Sequence, residues 1–105
     1  MTTLSTHVLD AALGVPAAGL AVVLSREGLE LERATTDDDG RVAFTTRPPG
    51  GECALTFATG AWFAAAGRTA FHPQVDVALA VDPDEEHLHV ALLLSPFAYT
   101  TYRGS

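Results

Sequence analysis

The chain has 105 residues, 48% of them hydrophobic, and a formal net charge of -7 from six basic and thirteen acidic side chains. That length carries one core rather than two, and the charge repels a phosphate backbone, which argues against nucleic acid as a partner. The lone Cys53 forms no internal disulfide, the N-terminus lacks the basic start and apolar run of a secretory signal, and the apolar stretch 11–24 is broken by Gly14, Pro16 and Gly19. These features predict a single cytoplasmic domain, residues 1–105, with no membrane segment.

Strand periodicity dominates from the start. Leu4, Thr6 and Val8 alternate with Ser5, His7 and Leu9, so a core-facing Val8 sends His7 and Leu9 to the opposite face. Residues 21–24 and 29–32 flank Arg26-Glu27-Gly28 as the arms of a hairpin. Thr36-Asp37-Asp38-Asp39-Gly40 reads as a turn into a strand at 41–45, and Pro48-Pro49-Gly50-Gly51 as a turn into another at 53–57. The alanine-rich stretch 60–67 is the one helical pattern; Gly67 stops it, and Trp62 and Phe63 are its anchors. Val75, Val77, Leu79 and Val81 recur at every second position, and after the turn at 82–86 so do Leu88, Val90, Leu92 and Leu94. His87, His89, Ala91 and Leu93 share the other face of that last run. About eight short strands and one helix predict an all-β sandwich.

Each polar candidate has an ordinary alternative. His89 and His7 would be surface residues on solvated faces, except that Ala91, Leu93 and Leu9 make those faces partly apolar, as if a second sheet or subunit covered them. His87 shares the face of His89 nearer the strand entrance, whereas His72, before Pro73, reads as a structural loop residue. Arg41 would by default form a surface ion pair. The aspartates at 37–39 lack the later acidic ligand and alternate spacing of a calcium loop, and Cys53, with no CxxC partner, reads as a small buried strand residue. The residues alone are compatible with hydrolysis, metal binding or no chemistry at all.

Four segments taken together resemble a known family: His7-Val8-Leu9-Asp10, Asp39-Gly40-Arg41, the run from His87 through Pro96, and the terminal Tyr102-Arg103-Gly104-Ser105. They are similar to the 5-hydroxyisourate hydrolases, the transthyretin-related enzymes of urate breakdown, over essentially the whole chain. The terminal tetrapeptide is the most specific element, because it distinguishes the enzymes from the hormone carrier. The family has tyrosine where Leu88 stands and proline where Ala91 stands; Leu88 falls on the core face and Ala91 is small, so neither change is expected to remove catalytic chemistry.

The resemblance implies a transthyretin-like β-sandwich of two four-stranded sheets with one short helix. It implies dimers formed by sheet extension, paired face to face as a homotetramer with active sites in the channel between them. The implied reaction opens 5-hydroxyisourate with water to 2-oxo-4-hydroxy-4-carboxy-5-ureidoimidazoline, without cofactor or metal. Carried over by position, the catalytic set is His7, Arg41, His89 and Ser105, with substrate contacts from His7, Arg41, Tyr102, Arg103 and Gly104. The histidine pair would hold and deprotonate the water, and Arg41 would clamp the ring. A tail beyond Ser105 would be expected to crowd the channel. A transthyretin-like carrier of a small aromatic ligand is expected to lack the two histidines and the tetrapeptide, and a metal-binding sandwich would need His7, His87 and His89 to converge on one ion.

Overall fold

Alternating side chains give each strand an apolar and a polar face, and the fold buries the apolar faces of two sheets against each other. In the computed structural model, which describes residues 2–105, the strands are β1 (Thr3–Asp10), β2 (Val15–Pro16), β3 (Ala21–Arg26), β4 (Leu29–Thr35), β5 (Arg41–Ala43), β6 (Gly51–Phe57), β7 (Val75–Val81), β8 (His87–Leu94) and β9 (Tyr99–Gly104). One helix, α1 (Thr59–Ala65), lies between β6 and β7. The first sheet runs β2-β1-β8-β9 with β5 also on β1, and the second runs β4-β3-β6-β7.

The expected sandwich is present, with one refinement to the sheet of four. β5 pairs with Ser5, Thr6 and His7, while the two-residue β2 pairs with Leu9 and Asp10. Both short strands therefore share one edge of β1, which makes five strands in four positions. β1 and β8 are parallel and in register from Thr3↔His87 to Asp10↔Leu94; the other strand pairs are antiparallel.

Leu4, Val8, Leu88, Val90, Leu92 and Leu94 from the first sheet meet Val22, Leu24, Leu55, Phe57, Val75 and Val81 from the second. Burying such a side chain is worth about 1.5–3 kcal/mol. Thr6 is fully buried among them, and its hydroxyl donates to the Val90 carbonyl at 2.7 Å, so the core carries this polar atom without loss. Leu88 lies on the core side, as its register predicts, and Cys53 is buried as expected.

The helix starts one residue before the expected stretch 60–67 and ends at Ala65, ahead of Gly67. Gly67 adopts φ 70°, its N–H donates to Ala64 and that of Arg68 to Phe63, which closes the last turn. Phe63 is buried, Trp62 donates its indole N–H to the Ala18 carbonyl, and Arg68 lies over the Phe63 ring while donating to the buried carboxylate of Asp10 at 2.6 Å. These contacts tie the helix exit to the end of β1.

Candidate active site

The outer face of the first sheet collects the polar half of every strand that crosses it. β1 contributes Thr3, Ser5 and His7; β5 sets Arg41 opposite His7; β8 contributes His87 and His89; and β9 sets Gly104 opposite His89 and Tyr102 opposite Ala91. His7 and His89 are each half-buried, and Leu9, Ala91 and Leu93 continue the same face.

Arg41 owes its position to the preceding turn. One oxygen of the Asp37 carboxylate accepts from the amides of Asp39 and Arg41, both at 2.9 Å. Gly40 sits at φ 75°, where an added Cβ would strike the Val8 carbonyl oxygen, so the turn presses directly on β1. The aspartate-rich segment is thus the turn expected of it. Among the described residues the Arg41 guanidinium has no carboxylate partner, contrary to the ordinary surface ion pair.

His89 is the most constrained side chain on this face. Its Nδ1 lies 2.7 Å from Ser5 Oγ, and the opposite edge of the ring rests on Gly104, where an added Cβ would come within 2.5 Å of Cδ2. Gly104 is therefore required by closeness of approach rather than by turn geometry. Burial first, then the Arg41 guanidinium and the neighbouring imidazoles of His7 and His87, hold the His89 pKa below its ordinary value. A neutral imidazole on the same sheet face as an unpaired guanidinium can accept a proton from water while the cation stabilises developing negative charge.

The remaining candidates fall elsewhere. Ser105 is exposed just past β9. Arg103 is in register with Val90, on the opposite side of β9 from Gly104, and its guanidinium pairs with Glu85 at 3.3 Å. His72 stands edge-on between Phe71 and Tyr99, in keeping with a structural role. Among the described residues no group of three His, Cys, Asp or Glu side chains has the spacing of ligands to one ion.

Residues 4–104 match the family model described as the HIUase/Transthyretin family. The chain belongs to that family. Within it, the 5-hydroxyisourate hydrolase of Mus musculus is 40% identical over 111 residues, covering 97% of this chain and 94% of the mouse protein. The structure of Klebsiella pneumoniae 5-hydroxyisourate hydrolase superposes with a TM-score of 0.93 at 43% identity, covering both chains completely. Sea bream transthyretin, solved with thyroxine, superposes at 0.88 with 31% identity, over 96% of this chain and 93% of its own. The same fold is thus shared by a 5-hydroxyisourate hydrolase and by a transthyretin that binds thyroxine.

Two contributors to this face are absent from the predicted site: Ser5, and His87 as a hydrogen-bonded neighbour. Ser5 was visible in principle, since it stands two residues before His7 and so shares its face. What the sequence lacks is the parallel register that sets Ser5 beside His87 and His89.

Proposed function

We propose that this chain is a 5-hydroxyisourate hydrolase that opens the ring to 2-oxo-4-hydroxy-4-carboxy-5-ureidoimidazoline. The observation that carries this is the meeting of His7, Arg41 and His89 on one sheet face, in a chain whose relatives bear that enzyme name. The carrier alternative has in its favour the shared fold and 31% identity to sea bream transthyretin, against 40% and 43% to the 5-hydroxyisourate hydrolases.

In the proposed reaction His89, with His7 beside it, removes a proton from water as the oxygen bonds to the ring carbonyl carbon. Arg41 stabilises the resulting oxyanion. The carbon–nitrogen bond then breaks, the ring nitrogen takes that proton back, and the carboxylic acid so formed loses its own proton to solvent to leave a carboxylate. Tyr102 and Ser105 border the substrate, Gly104 gives the His89 ring its space, and Arg103 points to the other side of β9, where it pairs with Glu85.

The site is proposed to work in a homotetramer, a dimer of dimers. Two features support this: the outer face carries Leu9, Ala91 and Leu93 among its polar groups, and β7 and β9 are both sheet edges among the described residues. A cavity of about 290 Å³ opens between those edges, lined in part by Val77, Leu79, Leu88 and Val90. Strand edges beside exposed apolar surface are suited to pairing with a second copy.

The test is to add the protein to freshly generated 5-hydroxyisourate and follow its ultraviolet absorbance. Decay faster than the spontaneous rate, in proportion to protein, is expected; an unchanged rate would remove the proposal.

A further inference from the structure

We infer that Ser5, together with His87 and Thr3 behind it, is a positioning element that fixes the proton of neutral His89 on Nδ1 and leaves a lone pair on Nε2. The side chains form one continuous chain of hydrogen bonds. Thr3 Oγ1 lies 3.2 Å from the Glu86 carbonyl and 2.6 Å from His87 Nδ1; Ser5 Oγ lies 2.9 Å from His87 Nε2 and 2.7 Å from His89 Nδ1.

Counting hydrogens sets the direction of this chain. The Glu86 carbonyl can only accept, so the Thr3 hydroxyl donates to it and has no hydrogen left for His87. His87 Nδ1 must then donate to Thr3. A neutral His87 with its proton on Nδ1 has a bare Nε2, which accepts from the Ser5 hydroxyl. Ser5 has now used its one hydrogen, so it accepts from His89 Nδ1–H. The reverse direction would forfeit the bond between Thr3 and the carbonyl. The result is a tautomer assigned by connectivity and anchored on main chain, which has no tautomer to change.

The consequence falls on the side of the ring where it is useful. The Nε2–Cδ2 edge rests against Gly104; an ideal Cβ there would lie 3.6 Å from Nε2 and 2.5 Å from Cδ2. The charged or titratable groups that act on His89 are Arg41 on β5, His7 on β1 and His87 on β8, and none of these supplies the hydrogen bond at Nδ1. A histidine side chain free in water prefers its proton on Nε2, the form that cannot accept one there. Ser5 therefore selects the form of His89 that can act as a base.

The role of Ser5 rests on the hydrolase proposal only where turnover is measured; the tautomer is read without substrate. In ¹⁵N-labelled protein, long-range proton–nitrogen spectra of the histidine rings should show His89 protonated on Nδ1 at a pH where it is neutral. Ser5→Ala should move the proton toward Nε2 and lower kcat by about 10- to 100-fold, the usual cost of removing the partner behind an oriented histidine, with less change in KM. Ser5→Thr, which keeps the hydroxyl, should restore both. His87→Ala should also move the His89 proton toward Nε2, because the Ser5 hydrogen is released to donate to Nδ1. Wild-type His89 protonated on Nε2, or a tautomer unmoved by Ser5→Ala, would overturn the inference. A wild-type protein that failed to hydrolyse 5-hydroxyisourate would defeat the hydrolase proposal and leave the tautomer result intact.

Discussion

His89 is held below its ordinary pKa of 6.5 by burial first, then by the Arg41 guanidinium and the neighbouring imidazoles of His7 and His87. A base with a lowered pKa stays unprotonated further into acid, so the acid limb of kcat/KM should lie below 6.5. Arg41→Gln removes the repelling guanidinium charge; it should raise that limb toward the ordinary value as well as reduce kcat/KM, which a pH–rate profile of both proteins reads directly. For folding the sign is that of a depressed group. The contribution of His89 to stability is full above 6.5 and is lost as pH falls through the lowered folded value. Gly104 tests the same ring from its other side. With an added Cβ at 2.5 Å from Cδ2, Gly104→Ala must displace the imidazole. A misplacement of about 1 Å costs roughly 100-fold in catalysis, so turnover should fall by that order while the far-ultraviolet circular dichroism is unchanged.

At the level of elements, the exit of α1 is tied to β1 by a single buried carboxylate. Asp10 accepts from the amides of Ala12 and Leu13 and from Arg68; burial alone would raise its pKa, but these donors and the Arg68 charge outweigh it and lower the pKa. Arg68→Ala should cost about 1.5–3 kcal/mol, read as a lower urea midpoint with an unchanged m-value. The stability Asp10 contributes should be present above 3.8 and fade as pH falls through its lowered folded value. Such ties explain which elements were legible in the sequence. β1, β7 and β8 carry a period of two because one face of each packs into the core, and α1 was marked by alanine and Gly67. β2 was not legible: two exposed residues contain no period, and only pairing with Leu9 and Asp10 makes them a strand. β5 is shorter than expected because the chain leaves β1 after Phe44, whose amide still donates to the Leu4 carbonyl, while Glu32 accepts from the amides of Thr45 and Thr46. At the candidate site, facing direction could be read from alternation for His7 and His89. The neighbours of His89 could not, since they follow from the register of two strands more than eighty residues apart.

Across the whole molecule, the open edges and the apolar part of the outer face predict self-association. Sedimentation at micromolar concentration should give a tetramer, and Leu79→Glu, which puts a charge into the cavity between β7 and β9, should reduce the assembly while preserving β-sheet dichroism. A wild-type monomer would contradict the proposed assembly. The parallel pairing of β1 with β8 has a further effect, on the timing of synthesis. Ser5 and His89 are 84 residues apart, so at about 5–20 residues per second the ribosome makes them roughly 4–17 seconds apart. Through that interval β1 lacks its principal neighbour, and the histidines cannot meet. Strand pairing between distant parts of a chain is also slow to form, over milliseconds to seconds. A nascent or prematurely terminated chain lacking β8 should therefore be catalytically silent rather than partly active.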